Sequence, residues 1–182
     1  QSSAASDVYK RQGLVRSKPP LPAIEGLFGC PTVVNNVLTL GAISTILCKG
    51  SDYYKNYGTG RSRGTLPVQL SGNIKRGGLI EIPFGTSLRA IVEDFGGGTF
   101  SGNPIKAIQV GGPLGAFVDR DKWDTPMDYE AFSAINSMIG HGGIVVFDDQ
   151  TNMFDQARFA MEFCAIESCG KCTPCRLSLI HI

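Results

Sequence analysis

Three of the six cysteines of this 182-residue chain lie within seven residues near its C-terminal end. They are Cys169, Cys172 and Cys175, spaced C-x₂-C-x₂-C in the run E-S-C-G-K-C-T-P-C-R. In a cytosolic protein, such clustering favours metal binding over a disulfide framework. The two-residue spacing lets a loop turn its thiolates inward, and Gly170 and Pro174 suit a chain that wraps in this way. The run therefore predicts three thiolate ligands to one metal centre.

The type of metal centre follows from the spacing and from what surrounds it. The double C-x₂-C spacing favours an iron–sulfur cluster, whereas a zinc site normally pairs two C-x₂-C units or adds histidine. His141 stands alone in the sequence, and His181 lies in the last few residues. Zinc ligation and unligated thiols remain the alternatives. Either metal needs a fourth ligand, for which Cys164 and Cys30 are weaker candidates than a cysteine beyond the end of the chain.

The two ends of the chain carry an unusual signal. Residues 7–12 read D-V-Y-K-R-Q and residues 177–182 read L-S-L-I-H-I. Both are translations of one six-codon DNA word, read on its two complementary strands, and that word resembles the transposon end used to prepare sequencing libraries. We therefore expect 1–12 and 177–182 to be adapter artefacts and 13–176 to be the biological sequence.

Charge and hydropathy exclude some classes of partner. Without the expected artefacts, basic and acidic residues are equal in number, which gives no support for a nucleic-acid partner or an anionic membrane surface. Since no apolar run approaches the ~20 residues that span a bilayer, we expect no direct membrane insertion.

Periodicity predicts a mixed α+β chain. Apolar spacing predicts a helix over Val33–Leu47, and Thr86 and Thr151 are expected to cap two later helices, over Ser87–Phe95 and from about Met153 toward the cysteines. Alternating or continuous apolar runs predict four strands. These strands are Leu66–Gly72, Gly78–Pro83, Ala107–Val110 and Gly143–Phe147.

Five motifs, in order, carry a resemblance to a known family. They are K-P-P-L-P-A, G-L-F-G-C-P-T-V-V-N-N, L-S-G-N-I-K-R-G-G, Q-V-G-G-P-L-G-A with G-H-G-G-I-V-V-F-D-D, and the cysteine run itself. Together they resemble the NADH-binding flavoprotein subunit of respiratory complex I and its soluble relatives, over essentially all of 13–176. The resemblance implies the end of a flavin-binding α/β domain at 13–63, a β-grasp (soluble-ligand-binding) domain at 64–149, and the start of a helical iron–sulfur domain at 150–176.

The resemblance also implies cofactors and site residues. In the family, NADH passes hydride to FMN, and electrons then leave through a [4Fe–4S] cluster held by four cysteines, three of which match the cysteines named above. Asn35 and Asn36 match the pair that meets FMN, although as paired amides they also suit a capping role. Lys18 matches a position near the nucleotide (NAD). Leu21 stands where complex I members usually have a stacking Phe.

Within the family, several runs look closest to the beta subunit of NAD-dependent formate dehydrogenase, among them N-N-V-L-T-L in place of N-N-V-E-T-L. That branch implies a cytoplasmic enzyme with a small 2Fe–2S subunit and a catalytic molybdenum or tungsten subunit as partners. The alternatives are the complex I subunit and the diaphorase subunit of NAD-reducing hydrogenase. Alternatives of another class are an electron relay or a zinc-stabilised interaction module without nucleotide chemistry. We expect the fragment alone to be inactive.

Overall fold

The computed structural model of the protein describes residues 19–167. The described residues fall into two compact units. One consists of 37–151 and contains a β-sheet with its own hydrophobic core. The other consists of 19–36 together with 152–167, and contains a tightly hydrogen-bonded loop and the last helix.

The larger unit is built on a five-stranded mixed sheet and a separate two-stranded ribbon. The strands are β1 (Gly58–Thr59), β2 (Ser62–Arg63), β3 (Thr65–Gly72), β4 (Gly78–Pro83), β5 (Ile105–Val110), β6 (Ala116–Val118) and β7 (Gly143–Asp148). The sheet has the order β4-β3-β7-β5-β6, and the ribbon pairs β1 with β2. Strands β3 and β7 run parallel at the centre of the sheet, while every other neighbouring pair in it is antiparallel.

Alternation along β3 decides which face of the sheet is internal. Leu66, Val68 and Leu70 are buried, whereas the intervening side chains are half-buried or exposed. Successive side chains of a strand point to opposite faces, so one face of the β3–β4 hairpin packs on the core and the other faces outward. The core consists of Leu66, Val68, Leu70, Ile74, Ile82, Leu88, Ile91, Val92, Ile108, Val110, Val118, Trp123, Met127, Phe132, Ile139, Ile144 and Val146.

Residues 19–167 contain five α-helices, four in the larger unit and one in the smaller. They are α1 (Val37–Lys49), α2 (Ser51–Lys55), α3 (Leu88–Ala90), α4 (Tyr129–Ala134) and α5 (Met153–Ile166). Helix α3 continues into a π-helical turn at Ile91–Phe95 and is capped by Ser87, whose hydroxyl accepts a hydrogen bond from the Ala90 N–H at 3.2 Å. Asp128 caps α4 in the same way, accepting from the Ala131 N–H at 3.1 Å.

The sequence-based elements agree with the structure in kind, and the α+β class is confirmed. All four predicted strands are present, and Gly78–Pro83 has the predicted bounds. Two predicted caps are wrong by one residue, because the chain offers two adjacent hydroxyl or amide side chains at each helix start. Ser87 caps in place of Thr86, and Asn152 in place of Thr151. The first helix begins at Val37, four residues later than the apolar spacing predicted. No helix in the described range is long and apolar enough to cross a membrane.

Asp148 is a buried carboxylate at the end of β7, with only 3% of its surface exposed. Its two oxygens accept hydrogen bonds from the Ser101 hydroxyl at 3.0 Å and from the Thr151 hydroxyl at 3.2 Å. Burial raises the pKa of Asp148, but these hydrogen bonds, with others from Gln150 and Asn73, outweigh burial and hold the pKa below its ordinary value. The charged form therefore stabilises the turn that follows β7.

We predict that this carboxylate makes folding stability depend on pH. Because its pKa is lower in the folded state, its contribution is present above the unfolded value of about 3.9 and is lost as the pH falls below it. Asp148→Asn should lower the melting temperature at pH 7 and flatten its fall between about pH 4 and pH 2. Both effects are measured by thermal unfolding at a series of pH values, monitored by circular dichroism, with the substitution of the exposed Asp149 by Asn as the control. If the melting temperatures of Asp148→Asn and wild type fell equally with pH, the stabilising role assigned to the Asp148 carboxylate would be contradicted.

Candidate functional site

Helix α5 leads the chain toward the cysteine run. The Asn152 side chain caps it by accepting the Phe154 N–H at 3.0 Å and donating to the Asp155 carboxylate at 2.8 Å. An Asp in the first turn is also favourable to the helix dipole. The helix ends at Ile166, and the N–H of Glu167 still donates to the Phe163 carbonyl at 2.9 Å. The run therefore begins directly after a well-formed helix.

The three predicted metal ligands, Cys169, Cys172 and Cys175, lie outside the described residues. Within 19–167, no group of three or more His, Cys, Asp or Glu side chains could hold a metal ion. The two weaker candidates for a fourth ligand differ in environment, since Cys30 is exposed and Cys164 is half-buried on α5. Whether the three cysteines suit an iron–sulfur cluster can be judged from the chemistry of their ligand atoms. Three closely spaced thiolates are the ligands that iron–sulfur clusters require, so the residues present suit such a cluster.

The predicted flavin residues Asn35 and Asn36 lie in a segment without regular secondary structure that ends where α1 begins at Val37. Each amide side chain offers donors and an acceptor, which suits the mixed donor and acceptor edge of a flavin ring. Leu21 is exposed, and Lys18 lies outside the described residues. In the described part of the chain, both asparagines are exposed at the surface.

The loop at 21–32 is more ordered than its glycine and proline content suggested. Thr32 joins its two ends, since its N–H donates to the Pro22 carbonyl at 2.7 Å. The Thr32 hydroxyl accepts from the Leu27 N–H at 2.8 Å and donates to the Cys30 carbonyl at 2.9 Å. The Gly26 N–H also donates to that carbonyl, at 2.8 Å. These bonds fix a compact loop shortly before the asparagine pair.

The tip of this loop presents Phe28, which is 91% exposed and has a φ of +57°. A non-glycine residue in the left-handed region costs free energy, and such residues concentrate at functional sites. Neither Phe28 nor Thr32 was predicted from the sequence. The motif G-L-F-G-C-P-T carried a usable signal, because two glycines and a proline around one aromatic residue indicate a constrained turn.

Gly26 is expected to be essential to this loop. A Cβ at position 26 would lie 2.5 Å from the Thr32 Cβ and Oγ1 and 2.9 Å from the Pro22 carbonyl oxygen. Gly26→Ala should therefore open the loop, at a cost of about 1–3 kcal/mol. Hydrogen exchange of the Leu27 and Cys30 amides should then accelerate roughly tenfold or more. Leu27→Ala, which removes an exposed side chain, serves as the control, and unchanged exchange in Gly26→Ala would contradict the proposed role.

The cysteine run falls within a region that is characteristic of one protein family. Residues 155–182 match the family described as "NADH-ubiquinone oxidoreductase-F iron-sulfur binding region". This match covers nearly all of α5 and the three cysteines. It confirms the iron–sulfur cofactor that the spacing predicted, whereas the role of each cysteine as a ligand stays a prediction.

Curated proteins match almost the whole chain. The NADP-reducing hydrogenase subunit HndC of Solidesulfovibrio fructosivorans is 43% identical over 92% of this chain and 34% of its own length. An NADH-quinone oxidoreductase subunit of Rhizobium meliloti is 43% identical over 90% of this chain and 39% of its own. Its counterpart in Escherichia coli is 42% identical over 97% of this chain and 40% of its own length. The chain thus spans little more than a third of these relatives.

Solved structures support the same relation. An NAD⁺-reducing [NiFe]-hydrogenase in its air-oxidized state matches with a TM-score of 0.76 and 32% identity, over 91% of this chain and 28% of the other. The hydrogenase in its H2-reduced state matches with a TM-score of 0.77 and 31% identity, over 98% of this chain and 30% of the other. Sequence and fold therefore point to the same group of proteins.

Proposed function

Since the chain belongs to the NADH-binding subunit family of NADH-quinone oxidoreductases and related hydrogenases, we propose that it is part of a flavin and iron–sulfur oxidoreductase subunit. The full-length subunit would pass electrons between NAD(H), FMN and a [4Fe–4S] cluster. The observation that carries this proposal is the cysteine run, which falls inside the matched iron–sulfur region. Identities of 43% and 42% with two relatives, extending along nearly all of the chain, add independent support.

The proposed roles divide along the chain. Residues 13–63 would complete the flavin-binding domain, 64–149 would form a β-grasp domain, and 150–176 would begin the helical iron–sulfur domain. The sheet supports the second assignment, because its adjacent internal strands β3 and β7 are parallel and come from opposite ends of the domain. Helix α5 supports the third, since it carries the chain to the first cysteine of the run.

The chain's own residues would bind and orient the cofactors. Cys169, Cys172 and Cys175 would supply three thiolates to the cluster. Asn35 and Asn36 would hydrogen-bond the flavin, and Lys18 would lie near the nucleotide. When bound, FMN accepts hydride from NADH and the cluster conducts single electrons. The cationic side chains within the run, Lys171 and Arg176, would offset the negative charge of a thiolate-ligated cluster, which raises its potential relative to a site without cations.

The branch of the family is a finer proposal. The runs that resemble formate dehydrogenase beta subunits favour a cytoplasmic NAD-dependent formate dehydrogenase, in which formate is oxidised on a separate molybdenum or tungsten subunit. A diaphorase subunit of a hydrogenase is the second candidate, because a hydrogenase subunit and two hydrogenase structures are among the similar proteins. The neighbouring gene distinguishes them, since a molybdopterin formate dehydrogenase gene favours the first and a [NiFe] or [FeFe] hydrogenase gene the second.

The proposed function is tested on the protein extended to its full reading frame. We expect it to bind FMN and to reduce artificial electron acceptors with NADH. A flavin-free protein without such diaphorase activity would refute the proposal. A colourless protein that contains stoichiometric zinc would favour the interaction-module alternative, and a brown protein without NADH chemistry would favour the electron relay.

The asparagine pair gives a residue-level prediction. Replacing both Asn35 and Asn36 by alanine in the full-length protein should weaken flavin binding about tenfold or more, since each lost hydrogen bond costs about 0.5–1.5 kcal/mol. Flavin fluorescence after equilibrium dialysis measures the loss. Asn56→Ala, at the end of α2 in the other unit, is the matched control. If the pair only caps α1, the double variant would lose thermal stability but keep its flavin.

A further inference from the structure

We draw no further inference here: the strongest candidate, the groove between helices α1 and α2 and the outer face of the β3–β4 hairpin, carries none because nothing in the structure shows what covers it.

Discussion

Cys172→Ser in the full-length protein is expected to abolish the iron–sulfur cluster. A [4Fe–4S] cluster is held by four protein ligands, and a serine hydroxyl at neutral pH is a poor replacement for a thiolate. The anaerobically purified variant should lose the broad visible absorption and nearly all of its iron and acid-labile sulfide. NADH should still be able to reduce its flavin, because the proposed flavin residues lie in a separate part of the chain.

The other cysteines supply matched controls for this variant. Cys30 and Cys48 are exposed in the structure, and Cys48 follows the apolar stretch of α1. Cys30→Ser and Cys48→Ser should both retain the full iron content. Loss of the cluster in Cys30→Ser would make Cys30 the fourth ligand. Retention of the cluster in Cys172→Ser would contradict the assignment of the cysteine run as its ligands.

Gly115→Ala is expected to have the largest effect on folding. Gly115 ends the turn between β5 and β6, next to the Val110–Ala116 pair. A Cβ at this position would overlap the Val110 carbonyl oxygen and lie 2.7 Å from its carbonyl carbon. Both are backbone atoms, so no side-chain rotation relieves the clash. The free energy of unfolding should fall by about 3 kcal/mol or more, as measured by chemical denaturation.

Gly41→Ala is the matched control for this substitution in the 182-residue chain. Position 41 lies inside α1, and an added Cβ would meet nothing within 4 Å. Alanine should therefore raise the stability of the helix by about 0.5–1 kcal/mol. If Gly115→Ala and Gly41→Ala lower the free energy of unfolding by similar amounts, the loss in Gly115→Ala has a cause other than the close approach to Val110.

The sheet was predictable because its strands carry their own signal. The alternation of Leu66, Val68 and Leu70, and the continuous apolar run from Ile144, reflect burial of one or both strand faces. Several short elements of the larger unit were not predicted, among them β6 and α4. Strand β6 has three residues and α4 has six, so each is too short for a periodic pattern to emerge, and each is held mainly by tertiary contacts. The buried Phe132 of α4 illustrates such a contact.

The candidate site was predictable in part for a similar reason. Spacing alone identified the cysteine run, because metal ligation needs particular residue types at short, regular intervals. The resemblance predicted the family, which the relatives confirm. By contrast, the hydrogen bond from the Leu27 N–H to the Thr32 hydroxyl depends on a turn that forms only in the folded chain. The groove of about 890 Å³ between helices α1 and α2 and the outer face of strands β3 and β4 could not be predicted either, since it depends on how helices and a sheet face lie in space.

Above all, we propose that this chain carries the electron-exit end of an NADH-oxidising flavoprotein subunit. The most direct measurement is the visible and electron paramagnetic resonance spectrum of the anaerobically purified full-length protein before and after NADH is added. We predict a yellow-brown protein with about one FMN and about four irons at this site, bleached by NADH with the appearance of a reduced-cluster signal. A colourless protein that holds zinc, or a brown protein whose spectrum NADH leaves unchanged, would contradict the proposal.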